Sequence, residues 1–210
     1  MKIGVFGATG NIGRIFTELA LKEGHSLNLY ARNAEGLHTS PNIKVVSGEL
    51  TDFDGIKEVI SGTDAVISLL GPALKRNYPG TPIATGHELI VKAMTELGLK
   101  RFITIATPAV RFERDQVSIA TVMPRIMARL FLPKPYQEIV AAGEATKNSG
   151  LDWTIVRFIS PTDGEPKGNV KVSFGDKKIG FSITRADIAS FVLNELTNPR
   201  FITSMPIIGS

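Results

Sequence analysis

The segment Lys2-Ile-Gly-Val-Phe-Gly7-Ala-Thr-Gly10-Asn-Ile-Gly13-Arg14 joins a short apolar strand to a helix through glycines spaced Gly-x-x-Gly-x-x-Gly. Each glycine has its own task. The first permits a tight turn at the strand's end, the second lets backbone approach a pyrophosphate, and the third lets the helix pack on a sheet. Unpaired amides and the positive dipole end of that helix stabilise phosphate oxygens without a charged side chain. Asn11 and Ile12 are placed to supply those amides, with Gly7, Thr9, Gly10 and Gly13 around them. A strand before the glycines, and Ile15, Leu19 and Ala20 after them, distinguish the motif from an ordinary turn. It predicts a bound dinucleotide.

Working outward, β-rich apolar runs alternate with longer amphipathic stretches, the pattern of a parallel sheet covered by helices on both faces. Strands are expected at 2–6, 26–30, 43–46, 65–70, 101–105 and 153–157, and helices at 11–23, 52–60, 81–97 and 137–149. Gly24 and Gly150 suit the positions just past helix ends. The reading is an α/β, doubly wound parallel sheet in one domain, residues 1–210, with C-terminal additions over 158–210. Within those additions Val170 to Phe174, the Gly175-Asp176 turn and a run to Ile183 predict a hairpin. A last helix follows Thr184 and Asp187, and Phe201 to Ile208 is expected to add an edge strand.

Residues 106–136 form the largest irregular stretch, on the carboxyl side of the sheet where ligands of such folds bind, and are read as a substrate lid. Pro124 would open a short helix there, with Ile126, Met127, Leu130 and Phe131 on one side and Arg125 and Arg129 on another. The apolar side either faces a pocket or packs on the core.

Composition narrows the function classes. Zero cysteines exclude disulfides, thiolate catalysis and cysteine-bound metals, and suit a reducing compartment. His25, His38 and His87 lack metal-ligand spacing, so no metal is expected. No span of about 18 apolar residues occurs, so neither membrane insertion nor export is supported and a cytoplasmic location is expected. Although the net charge is +4, the basic residues are scattered, which argues against a nucleic-acid partner.

The second strand ends Tyr30-Ala31-Arg32-Asn33, where NAD-binding chains often carry an acid for the ribose. The planar donor fork of Arg32 suits a 2′-phosphate instead, so NADPH is favoured over NADH. Arg14 is either a second phosphate partner or a solvated helix arginine. Glu49 and Leu50 follow the third strand at the adenine edge, and Asp52 is read as a helix cap. Leu70, Gly71 and Pro72 end the fourth strand beside the cofactor, and Phe158, Ile159 and Ser160 flank the nicotinamide from the other side. Thr107, at the crest of the fifth strand, has two open roles: orienting a carbonyl or water, or bonding nearby backbone.

Together, Gly7-Ala-Thr-Gly10-Asn-Ile-Gly13, Gly48-Glu-Leu-Thr-Asp52, Glu144 ahead of Ser149-Gly-Leu-Asp-Trp-Thr-Ile-Val-Arg157, and Ile183-Thr-Arg-Ala-Asp187-Ile-Ala resemble one family. The chain is similar to atypical short-chain dehydrogenase/reductases of the NAD(P)H-binding, NmrA-like group, near the biliverdin-IXβ and flavin reductase branch. The resemblance implies a Rossmann sheet, a C-terminal substrate region and NADPH. It departs from ordinary short-chain dehydrogenases, whose Tyr-x-x-x-Lys pair exchanges a proton with substrate, because Tyr136 is followed by Val140. Tyr136 is thus a pocket residue with a doubtful claim to acid catalysis. Glu144 and Arg157 are read as a structural ion pair and Asp187 as a helix-start residue.

Three functions compete. An NADPH-dependent reductase of planar conjugated acceptors, resembling flavins, quinones or tetrapyrroles, needs orientation more than a proton donor. A non-catalytic NADP(H)-binding regulator would bind cofactor without turnover. Sugar-nucleotide epimerisation ranks last, given the short C-terminal region and the missing lysine. Monomer and homodimer both remain open.

Overall fold

The computed structural model describes residues 1–33, 35, 37, 40–72 and 82–210; His38 and the expected helix start at residue 81 lie outside the described residues. The chain runs through β1 (Lys2–Phe6), α1 (Asn11–Lys22), β2 (Ser26–Ala31), β3 (Ile43–Ser47), α2 (Phe53–Ile60), β4 (Ala65–Ser68) and α3 (Pro82–Glu96). Then come β5 (Arg101–Ala106), α4 (Ile119–Phe131), α5 (Pro133–Lys147), β6 (Asp152–Arg157) and β7 (Ser160–Thr162). The chain finishes with β8 (Lys171–Ser173), β9 (Ser182–Thr184), α6 (Arg185–Thr197) and β10 (Ile207–Gly209).

The main sheet has the order β3-β2-β1-β4-β5-β6-β10-β8, and all but β8 run parallel. That is the doubly wound order. It reverses between β1 and β4, opening a crevice at their carboxyl ends where this architecture binds ligands. Alternating side chains of each strand feed two cores. Ile3, Val5, Leu29 and Ile67 pack with Phe16 of α1 and Ile188 and Val192 of α6 on one face. Phe6, Val66 and Phe102 pack with Ile56 of α2 and Ile90 and Met94 of α3 on the other. With both faces covered, strands such as Ala65-Val-Ile-Ser68 are buried at every position, which is why they read as continuous apolar runs.

Four expectations are corrected. The predicted hairpin does not form: β8 pairs antiparallel with β10, and β9 pairs parallel with β7 in a separate two-stranded sheet. The local turn is real, since Asp176 accepts from the Phe174 amide at 2.9 Å and the Ser173 hydroxyl at 3.3 Å, but the flanking segments diverge to distant partners. Secondly, β10 is an interior strand between β6 and β8, and β8 takes the edge. Thirdly, β4 stops at Ser68, so Leu69 and Leu70 belong to the loop.

Finally, the 106–136 stretch is largely helical. The α4 helix starts before Pro124, because Ser118 and Thr121 set its first turn: the Ser118 amide donates to the Thr121 hydroxyl at 3.0 Å. Pro124 then lies inside the helix, where its missing N–H leaves the Ala120 carbonyl without its helical donor. Of α4 only Thr121 is buried; Met123, Ile126, Met127 and Phe131 are exposed and Leu130 is 67% exposed. The apolar side of α4 faces solvent, neither the core nor the cleft described below. Its continuation α5 begins at Pro133, four residues ahead of expectation, with proline in the first turn.

Candidate functional site

The β1–α1 turn shows which glycines the fold itself requires and which it does not. Gly7 has φ of +84°, and a Cβ there would lie 2.8 Å from the Leu69 carbonyl carbon. At Gly13 a Cβ would collide with the Gly7 carbonyl oxygen and approach the Ala8 Cα to 2.8 Å, so helix and strand could not close up. Gly10 differs. Its φ of −74° suits any residue, and a Cβ there would find the Gly7 carbonyl oxygen at 3.3 Å and no other atom within 4 Å. The side of Gly10 that lacks a side chain opens into the cleft. No side chain caps α1 and its first turn carries no acid, so the leading amides stay available to an anion.

To one side lies the hollow expected for adenosine. Thr9, Arg32, Asn33, Glu35 and Glu49 line a recess of about 360 Å³, and Gly7, Tyr30, Gly48, Leu50 and Leu70 line a smaller adjoining one. Arg32 stands exposed just past β2, in both recesses. Glu35 and Glu49 share its hollow, so carboxylates able to accept from ribose hydroxyls face the cation suited to a phosphate. The Tyr30 hydroxyl donates to the Glu49 carbonyl at 2.8 Å. Burial, reinforced by Asp52 and Glu49, pushes its pKa up to about 12, so the phenol stays protonated and fixes the Glu49–Leu50 turn. Asp52 caps α2, accepting from the Gly55 amide at 3.1 Å, as the sequence indicates. Arg14 is exposed and its Nε donates to the Thr9 carbonyl at 3.2 Å.

On the other side, above the ends of β4, β5 and β6, lies a cleft of about 270 Å³. Gly10, Asn11 and Ile12 form its floor beside the uncapped helix; Leu69, Leu70, Gly71 and Pro72 form one wall. Ala106, Thr107, Phe158, Ile159 and Pro161 form the opposite wall, and Ile139 and Arg185 complete it. Thr107 therefore sits in the cleft, with its hydroxyl accepting the Ala109 amide at 3.3 Å. Ser160 starts β7 and is exposed, and Tyr136 is half-buried on α5; neither lines the cleft, whose α5 contribution is Ile139. Arg185 was not singled out from the sequence. It lies in the Ile183-Thr-Arg-Ala-Asp187 block, and the turn of chain that aims it into the cleft depends on β9 pairing with β7.

The charged residues outside the cleft have structural partners. Arg157 is fully buried and forks onto both Asp115 oxygens at 2.6 Å, while Nε donates to the Met205 carbonyl at 2.9 Å. The structural role stands, but the partner is Asp115 rather than Glu144, which pairs with Lys147 at 2.9 Å. This ties the loop after β5 to β6 and the segment before β10. Asp187 accepts from the amides of Lys167 and Gly168, both at 3.0 Å. Burial raises its pKa, but those amides and the Thr184 hydroxyl outweigh it and hold the carboxyl below its ordinary value. His87, buried under β5, bonds the Ile83 carbonyl at 2.9 Å and the Thr104 hydroxyl at 3.0 Å; burial lowers its pKa to about 4, leaving it neutral. Among the described residues no cluster of three His, Cys, Asp or Glu could hold a metal, and no helix is long and apolar enough to cross a membrane.

This geometry agrees with comparison to known proteins. A family model described as NAD(P)H-binding matches residues 7–199, nearly the whole chain. The chain belongs to the NAD(P)H-binding family. The expected NAD(P)H-binding family is therefore shown, and the expected Rossmann fold is shared with solved short-chain dehydrogenase/reductases. Oxidoreductase stcQ of Emericella nidulans is 28% identical over 181 residues, covering 75% of this chain and 63% of that protein. A short-chain dehydrogenase/reductase from Veillonella parvula, solved with NADP, superposes with a TM-score of 0.81 at 16% identity, over 100% of this chain and 94% of that one. ChuY, an anaerobilin reductase from Escherichia coli O157:H7, gives 0.77 at 19% identity, over 100% and 97%.

Proposed function

We propose that this protein is an NADPH-dependent reductase of planar, conjugated acceptors. One observation carries the reading: the apolar cleft opens directly onto the uncapped amides of α1, and among the described residues its walls carry no carboxylate, tyrosine or lysine to act as proton donor. Such a cleft can hold a flat ring and exclude water around it, but does little for a substrate that must be protonated as it is reduced. Acceptors that delocalise the incoming electron pair and take a proton later from solvent match that limit.

The cofactor fits residue by residue. The amides of Asn11 and Ile12 would hold the diphosphate, with the bare face of Gly10 giving it room. Arg32 would take the 2′-phosphate, and Tyr30 would keep the Glu49–Leu50 turn beside the adenine. When bound, NADPH supplies hydride from the nicotinamide. Leu70, Gly71, Pro72, Phe158 and Ile159 would flank that ring, and Thr107 would orient it or the acceptor. Residues 106–136 enter this scheme at Ala106 and Thr107, and the proposal keeps the stretch as the acceptor side of the site. Support from relatives is of the same kind: one is an oxidoreductase by name, and a structural neighbour is named an anaerobilin reductase. With no cysteine to protect, we place the activity in the reducing cytoplasm.

The test follows loss of reduced-nicotinamide absorbance with flavin, quinone and linear tetrapyrrole acceptors. Acceptor-dependent oxidation by the wild type, with the NADPH concentration it needs raised about 10- to 100-fold in Gly10→Ala, supports the proposal. A cleft whose described walls carry no proton donor equally favours a second reading, a non-catalytic NADP(H) sensor. That reading predicts NADPH binding with no oxidation by any acceptor in the panel.

A further inference from the structure

The wall of the apolar cleft carries a single charged side chain among the described residues, the guanidinium of Arg185. Arg185 opens α6, at the positive end of the helix dipole, a position that favours acids over bases. Nothing in the core requires a cation there, because the helix start is already secured by Thr184, whose hydroxyl accepts the Asp187 amide at 3.0 Å. The side chain is largely sheltered, 20% exposed, and its Nη1 reaches Asp163 at 2.6 Å. Asp163 is 88% exposed, on the loop after β7, and makes no other hydrogen bond or ion pair among the described residues. The pair is therefore lopsided: a largely sheltered cation at the cleft, and a solvated carboxylate opposite it.

We infer that Arg185 is the anion receptor of the acceptor pocket, and that the preferred acceptor is a planar ring system bearing a carboxylate or phosphate. Asp163 occupies the receptor when the acceptor is absent and yields to it. The inference rests on the reductase reading and deepens it. The planar guanidinium offers two parallel N–H donors to either acid, and in an apolar cleft that contact gains strength over its value in water. The cofactor's diphosphate is the rival anion, but the α1 amides already provide for it.

The experiment measures quenching of flavin fluorescence on binding to NADP+-saturated protein, comparing flavin mononucleotide with riboflavin, which share a ring but differ by a phosphate. Wild type, Arg185→Ala, Arg185→Lys and Asp163→Asn are compared, with folding checked by thermal melting and NADP+ affinity by calorimetry. The receptor role predicts that the wild type prefers the phosphorylated flavin, and that Arg185→Ala removes about 10- to 100-fold of affinity for it while sparing riboflavin. Arg185→Lys restores part of the loss. Asp163→Asn shifts binding the opposite way, tightening the phosphorylated flavin, because it removes the competitor. A merely structural ion pair would make Arg185→Ala and Asp163→Asn fail alike, and that result overturns the inference. Equal loss of both flavins together with NADP+ would assign Arg185 to the cofactor and also overturn it. If the wild type binds and reduces both flavins equally well, the receptor role falls while the reductase reading stands. If it binds neither and reduces no acceptor in the panel, both fall.

Discussion

Gly10 and Gly13 lie three residues apart in one turn, yet the structure demands opposite consequences from giving each a methyl group. For Gly13→Ala the new Cβ overlaps the Gly7 carbonyl and comes within 2.9 Å of the Ala8 carbonyl carbon, all backbone that cannot rotate aside. Overpacking of this kind costs about 3 kcal/mol. For a chain of this size that lowers Tm by about 6–12 °C. For Gly10→Ala the nearest atom lies at 3.3 Å and φ is −74°, so the cost is that of replacing glycine by alanine at a helix cap, about 1 kcal/mol or less. The methyl instead occupies the space in which a diphosphate would approach the Asn11 and Ile12 amides. Hydrogen bonds to a charged group are worth about 1.5–3 kcal/mol each, so losing one weakens NADPH by about 10- to 100-fold. Thermal melting with calorimetric titration reads both effects. The reasoning is refuted if Gly10→Ala binds NADPH as tightly as the wild type, or if Gly13→Ala melts within a degree or two of it.

Other expectations follow from the same geometry. Arg32→Ala should weaken NADPH by about 10- to 100-fold and leave NADH nearly unchanged, as seen in titrations with each. Glu35→Gln should shift preference the other way, toward NADPH, because it removes a carboxylate from the hollow shared with Arg32. Asp115→Asn leaves the buried Arg157 cation without its counter-charge and should cost about 3 kcal/mol in denaturant unfolding. His87 has a folded pKa of about 4 against about 6.5 unfolded, so the unfolded chain takes up the proton first as pH falls. Its contribution to stability is therefore complete above about pH 6.5 and fades toward pH 4, a loss of about 2–3 kcal/mol that a His87→Gln variant should not show.

The sequence was legible wherever local chemistry decides. A strand closed by Gly7 and a helix opened without a cap are local features, and they point to the crevice at the strands' carboxyl ends. The parallel strands were legible because both faces are covered, leaving apolar runs with little ambiguity. What escaped were features set by distant partners. The Gly175-Asp176 turn is locally convincing, but whether its arms pair is settled by β7 and β10, each more than ten residues away. Arg157 looked paired, yet its partner Asp115 sits in a loop with no periodicity to announce it. Arg185 belonged to a block noticed for its resemblance alone; its direction into the cleft follows from the β7–β9 pairing. Tyr136 drew attention by its type, while the helix turns Ile139 toward the cleft.

The central claim is that the first turn of the chain grips a nicotinamide dinucleotide and that Arg32 selects its phosphorylated form. Calorimetric titration of the wild-type protein with NADPH and with NADH tests it most directly. The account predicts saturable NADPH binding with a Kd at least about tenfold below that for NADH. Absence of binding heat from either nucleotide at millimolar concentration, in protein shown to be folded, would contradict the cradle; equal affinities would contradict the role of Arg32.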